Sequence, residues 1–174
     1  MGTSPNALIA VGRLTKPHGL KGEIVFLPYV YDLELLPDLT AQQVTLQQNA
    51  TVSHTRVVIN WRRFRSKILF LFEHCHDMTQ AAALRGYEVL IPRSWFPSLP
   101  MGEYYWFEVE GLTVYAADGK PLGSVAEIIY TGSNDVYVVR HKTQELLIPA
   151  LKHVIRTIDV TRGEMHLYAV PDLL

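Results

Sequence analysis

Phe96-Pro97-Ser98-Leu99-Pro100-Met101-Gly102 is the stretch on which the fold turns. Two prolines lock φ and withhold amide donors, and the glycine adds backbone freedom, so neither a helix nor a strand is expected to run through it. The charge balance changes sign at the same place. Residues 1–97 carry ten Lys and Arg against seven Asp and Glu, a net of +3; residues 98–174 carry six against ten, a net of −4. We therefore read residues 1–96 and 104–174 as two small domains joined by a linker over 97–103. The asymmetry leads us to expect different partners for the two halves.

Moving outward, both halves are built of short apolar runs separated by turn residues. In the first, Leu8–Leu14, Gly22–Pro28, Gln43–Gln47, His54–Trp61, Lys67–His74 and Tyr87–Pro92 are rich in Val, Ile, Leu and aromatics and are expected to be strands. In the second, Leu112–Tyr115, Gly123–Tyr130, Val136–Arg140, Glu145–Ile148 and Glu164–Ala169 follow the same rhythm. Asp118-Gly119, within Ala117–Lys120, accepts the positive φ of a tight hairpin, and Thr131-Gly132-Ser133-Asn134-Asp135 marks a second turn. Only Met78–Arg85 reads as a helix, with Asp77 to cap it and Gly86 to end it. The fold class is mainly all-β: two small antiparallel β-barrels, with one short helix in the first. No long βαβ unit for a Rossmann-type nucleotide domain is visible.

Composition narrows the function. Apolar residues are 48% of the 174 and charged residues 19%, an ordinary globular mixture. The longest apolar runs are far too short to cross a bilayer, and Met1–Asn6 lacks the pattern of a signal peptide, so a cytoplasmic protein without a membrane partner is expected. A lone cysteine, Cys75, excludes an internal disulfide and a multi-thiolate zinc site. Nucleophile-elbow, phosphate-loop and zinc-protease motifs are absent, so no catalytic residue, cofactor or small-molecule substrate is expected. One enzymatic alternative rests on His74, Cys75 and His76. If the strand ran through them, both imidazoles would share a face and could bind zinc, and Cys75, with a histidine on either side in sequence, would be the candidate nucleophile. The other reading is a strand end with exposed histidines and a packing cysteine.

Three clusters remain as candidate binding surfaces. Gly12–Glu23 holds three glycines and a proline in what reads as a tight loop presenting Arg13, Lys16, His18 and Lys21. Such a loop contacts phosphate or carboxylate, or is a plain barrel corner. Trp61-Arg62-Arg63-Phe64-Arg65-Ser66-Lys67 puts Arg62, Arg63, Arg65 and Lys67 with two aromatics at a hairpin tip. Cations neutralise phosphates and aromatic faces stack on unpaired bases, so an RNA-facing tip is favoured over a solvated one. Tyr104-Tyr105-Trp106-Phe107 follows the linker. On an extended segment side chains alternate, so Tyr104 and Tyr105 should differ, one packed on a core or the other domain and one near a partner.

Taken together, Val11-Gly12-Arg13, His18-Gly19-Leu20-Lys21-Gly22-Glu23, Ala82–Gly86, Tyr104-Tyr105, Asp118-Gly119, Leu122-Gly123, Thr131–Asp135 and Leu147-Ile148-Pro149 resemble, in order and spacing, the RimM family of ribosome maturation factors. The resemblance covers nearly the whole chain. It implies a translation-factor-like first barrel and a PRC-barrel second domain. It further implies a non-enzymatic factor that binds the immature small (30S) ribosomal subunit and assists maturation of its head and 16S rRNA processing. The implied protein partner is the small-subunit ribosomal protein uS19, and Tyr104 and Tyr105 match the tyrosine pair associated with ribosome binding. The chain departs from the family pattern at Glu108-Val109, where Asp-Leu is usual, and at Pro171-Asp172-Leu173-Leu174, which lacks a glycine.

Overall fold

The computed structural model describes residues 7–30, 33–49, 52–65 and 67–168, so the closing Pro171–Leu174 lies outside the described residues. These residues form two compact units that divide between Pro97 and Ser98. The first is a closed barrel with strand order β1-β2-β5-β4-β3-β6. Its strands are β1 (Leu8–His18), β2 (Glu23–Pro28), β3 (Gln43–Asn49), β4 (Val52–Phe64), β5 (Lys67–Phe72) and β6 (Glu88–Pro92), with helix α1 (Met78–Ala83) before the last. Every pairing is antiparallel. Alternate residues Ile24 and Phe26 of β2, Phe70 and Phe72 of β5, and Val89 and Ile91 of β6 point inward and are buried. The Phe26 and Phe70 rings stack at 4.4 Å in the middle of this core. Asp77 caps α1, its carboxylate accepting from the Gln80 amide at 2.8 Å.

Several boundaries differ from expectation by a few residues, and two of the differences have a clear physical reason. Strand β1 does not stop at Leu14 but runs on to His18. A register break between Leu14 and Pro17 absorbs the proline, which has no amide to give, and the Thr15 hydroxyl donates to the Val25 carbonyl at 3.1 Å within the break. Strand β5 ends at Phe72 rather than His74, because His74 adopts a left-handed φ of 60° that no strand sustains.

The second unit opens with α2 (Trp106–Val109) and continues through β7 (Thr113–Tyr115), β8 (Pro121–Tyr130), β9 (Asp135–His141), β10 (Gln144–Pro149), β11 (Ile155–Asp159) and β12 (Glu164–Leu167). The sheet order is β10-β9-β8-β7-β12-β11. Pairing is antiparallel except between β7 and β12, which run parallel. Val109, Leu112, Val114, Val125, Val139, Ile148, Met165 and Leu167 form its core. Strand β11 was not anticipated: a bulge between Ile155 and Thr157 breaks the period-two spacing of its apolar residues. Both expected turns are present. The Asp118 carboxylate accepts from the Lys120 amide at 3.0 Å, and Gly119 takes φ 84°. No helix among the described residues is long and apolar enough to cross a membrane.

Candidate functional site

The β4–β5 hairpin closes on the pair Phe64 and Lys67, with Arg65 at φ 54° in the turn. Period two then sorts the tip into two sides. Arg62 and Phe64 fall on one and Arg63 on the other, while Arg65 lies in the turn itself. On the first side Arg62 grips Glu23 of β2 with two parallel bonds, Nε to Oε1 at 2.8 Å and Nη2 to Oε2 at 2.9 Å. This bidentate bond holds the Glu23 carboxyl below the usual carboxylate range, against a smaller opposing effect of burial. The Arg62 guanidinium also lies 5.2 Å from the Phe64 ring centre, and Arg65 reaches over the same ring at 5.5 Å. His18, at the end of β1, meets Phe64 at 5.0 Å.

Around the rest of the tip, Arg63, Arg65 and Lys67 have no ion-pair partner among the described residues. They border a groove of about 500 Å³ whose other walls include Val25, Leu27, Val30 and Leu33. The sequence placed these cations at a tip. It did not show that Arg62 is spoken for by Glu23 while its three neighbours have no ion pair among the described residues.

The predicted basic loop is only partly a loop. Lys16 and His18 belong to β1, and the connection itself is the turn from Gly19 to Gly22, which carries Lys21. Arg13 is separated from the cluster: its guanidinium bonds Glu88 of β6 at 3.3 Å, and the Tyr29 hydroxyl donates to the same carboxylate. The turn is tethered to the segment after β5. Gly22 sits at φ 81° against the Cys75 carbonyl, where an added Cβ would come within 2.0 Å of the oxygen. The Cys75 thiol in turn donates to the Gly22 carbonyl at 3.2 Å.

That tether fixes the surroundings of Cys75, the centre of the enzymatic alternative. Cys75 is buried, and burial pushes its thiol up, away from the reactive thiolate. His74 lies in a turn and His76 in irregular backbone rather than on a strand face, and the His76 amide donates to the Gln80 side chain at 2.7 Å. Among the described residues no group of three potential ligands is placed to hold a metal ion.

The aromatic run in the second unit is not extended throughout, as the sequence suggested. It turns into α2 at Trp106 because the Glu108 carboxylate accepts from the Tyr105 amide at 3.0 Å, and the Glu108 amide donates to the Tyr105 carbonyl at 2.9 Å. Tyr105 is 2% exposed, with its ring stacked on Phe107 at 5.2 Å. Tyr104 is half-buried; its ring packs on the second core and its hydroxyl donates to the Ile158 carbonyl of β11 at 3.2 Å. Tyr104 also lines a surface pocket of about 390 Å³ together with Tyr137, Leu151, Lys152, Ile155 and Arg156. The two tyrosines are thus unequal, and the accessible ring is Tyr104.

Comparison with known proteins gives concordant results across both units. The RimM N-terminal domain model matches residues 9–96, and the RimM PRC barrel domain model matches residues 106–169. A ribosome maturation factor RimM of Thermotoga neapolitana is 38% identical over 150 residues, spanning 86% of this chain and 85% of its own. That of Syntrophobacter fumaroxidans is 34% identical over 161 residues, spanning 92% and 90%. The solution structure of the N-terminal domain of RimM from Thermus thermophilus is similar at 22% identity with a TM-score of 0.41, covering 53% of this chain and 98% of that domain.

Proposed function

The chain belongs to the RimM family of ribosome maturation factors, and from that premise we propose that it binds the immature small subunit in the cytoplasm and assists head maturation and 16S rRNA processing. In this reading the first barrel meets rRNA through the β4–β5 tip, and the PRC-barrel unit meets a protein of the subunit head, uS19, through Tyr104. No bond is made or broken. The factor acts by preferring the correctly folded head among its conformers, which requires differential affinity for that state. A tenfold preference needs only about 1.4 kcal/mol, within reach of a few phosphate contacts or one aromatic anchor.

The observation that carries the reading is the group Arg63, Arg65 and Lys67, which have no ion-pair partner among the described residues. Three cations held at a barrel tip without a carboxylate among the described residues are placed to meet an outside anion. Tyr104 supports the protein side, since its ring lines an open pocket while Tyr105 is buried. The test is sedimentation of the full chain with free small subunits through a sucrose gradient across a salt series. Changing Arg63, Arg65 and Lys67 together to Ala should weaken binding and reduce the log–log salt slope by roughly 2, at about 0.7 per lost contact with single-stranded RNA. Absence of co-sedimentation by the wild type would refute the function; an unchanged slope would refute the assignment of the tip.

A further inference from the structure

The groove beside the tip has a property that phosphate binding alone does not call for: it is lined by aliphatic side chains. In β2, Ile24 and Phe26 fill the barrel, so Val25 and Leu27 project outward, where an antiparallel strand ordinarily carries polar residues. Leu27 is 56% exposed. With Leu33 these residues line one part of the groove while Arg63, Arg65 and Lys67 supply its charge.

We propose that this groove seats an unpaired nucleotide of rRNA, its base against Val25, Leu27 and Leu33 and its phosphates on Arg63, Arg65 and Lys67. The inference rests on the RNA-facing reading of the tip and specifies what the tip selects. A volume of about 500 Å³ lies within the range of roughly 300–1,000 Å³ typical of small-ligand sites, ample for one nucleoside. A duplex keeps its base faces stacked inside and offers this surface only phosphate, ribose and groove edges, leaving the aliphatic wall in water. A splayed base covers that wall and carries an anion beside it. Past the groove the same kind of surface continues, with Arg62 over the Phe64 ring and His18 against it. A nucleotide chain, with an anion and an aromatic face at every step, matches that continuation better than an acidic peptide segment.

The experiment is fluorescence anisotropy of the full chain with a labelled ten-nucleotide uridine strand and with a ten-base-pair RNA duplex, each over a salt series. The strand should bind at least tenfold more tightly than the duplex. Leu27→Ser, an exposed substitution, should weaken strand binding about five- to tenfold with the salt slope unchanged and duplex binding unaffected. Leu33→Ser serves as the second variant, with circular dichroism confirming that each protein is folded. Equal affinity for strand and duplex, or strand affinity indifferent to both folded variants, overturns the nucleotide site. So does displacement of the strand by an oligoglutamate-leucine peptide at equal concentration, which would mark the groove as a peptide site. If the wild type co-sediments with small subunits yet shows no preference for the strand, only this inference fails. If it does not co-sediment, the functional reading fails with it.

Discussion

The inequality of Tyr104 and Tyr105 gives the sharpest test of how the second unit is built. Tyr105 is almost wholly buried, and its ring is stacked on Phe107 and set edge-on to Trp106 at 6.3 Å. Truncating a buried aromatic to Ala typically costs ~3–5 kcal/mol, so Tyr105→Ala should remove that much stability. Tyr104 is half-buried, and its loss forfeits a partial apolar contact together with one neutral hydrogen bond, together about 1–2 kcal/mol. For a unit of this size each kcal/mol moves the melting temperature by roughly 4–8 °C. Tyr105→Ala should therefore lower the transition of the second unit by at least about 12 °C, and Tyr104→Ala by much less. Thermal melting followed by near-ultraviolet circular dichroism separates the two. Binding should show the opposite order: Tyr104→Ala, still folded, should weaken association with small subunits, as loss of an interface anchor does. Should Tyr105→Ala fail to fold, Tyr105→Phe keeps the buried ring and should fold, melting well above Tyr105→Ala. The reasoning is refuted if Tyr104→Ala is the more destabilising, or if Tyr105→Ala melts like the wild type while abolishing binding.

Two further outcomes follow from the first barrel. Gly22→Ala should cost about 2–4 kcal/mol, because the methyl meets the Cys75 backbone and the residue must hold φ 81°. Gly19→Ala, with φ 66° and open space around it, should cost only about 1 kcal/mol; denaturant melts of equal midpoint would refute the clash. The Glu23 carboxyl is held low in the folded state chiefly by its bond to Arg62, so it contributes stability fully above the unfolded pKa, about 4.3, and loses it as pH falls through the lower folded value. Glu23→Gln should therefore narrow the gap between melting temperatures at pH 6 and pH 3, and an unchanged gap would show that the Arg62 bond is energetically idle.

Much of this was legible in the sequence, and what was missed has physical causes. Strong period-two runs such as Glu23–Pro28 and hairpin signals such as Asp118-Gly119 were read correctly because their information is local. The extension of β1 past Pro17 and the existence of β11 were hidden by bulges, which break the very period being read. The one-turn helix at Trp106 depends on Glu108 reaching back to an amide, a bond that overrides the strand preference of four aromatics. At the candidate site the residue types were visible but their pairing was not. Arg13 and Arg62 look like their neighbours in sequence, yet each is neutralised by a carboxylate far away along the chain, Glu88 and Glu23. The aliphatic groove did leave a signal, since Val25 and Leu27 are apolar at positions that alternate with the core residues Ile24 and Phe26.

The parallel pairing of β7 with β12 bears on the order in which the protein becomes active as it is synthesised. In the first barrel the closing partner of β1 is β6, which ends at Pro92, so the whole barrel is available before the second unit has been translated. In the second unit β12, the last strand of the described residues, lies inside the sheet between β7 and β11 rather than at its margin. The first strand of the unit, β7, therefore waits, unpaired on that side, until β12 has been made, and so does β11. Long-range closure of this kind is slow and all-or-none compared with hairpin zippering. A nascent chain would thus carry a finished barrel with its cationic tip well before Tyr104 gains its hydrogen bond to Ile158 of β11. The surface proposed for Tyr104 is complete only on a chain translated through β12, so the two units mature in a fixed sequence set by topology.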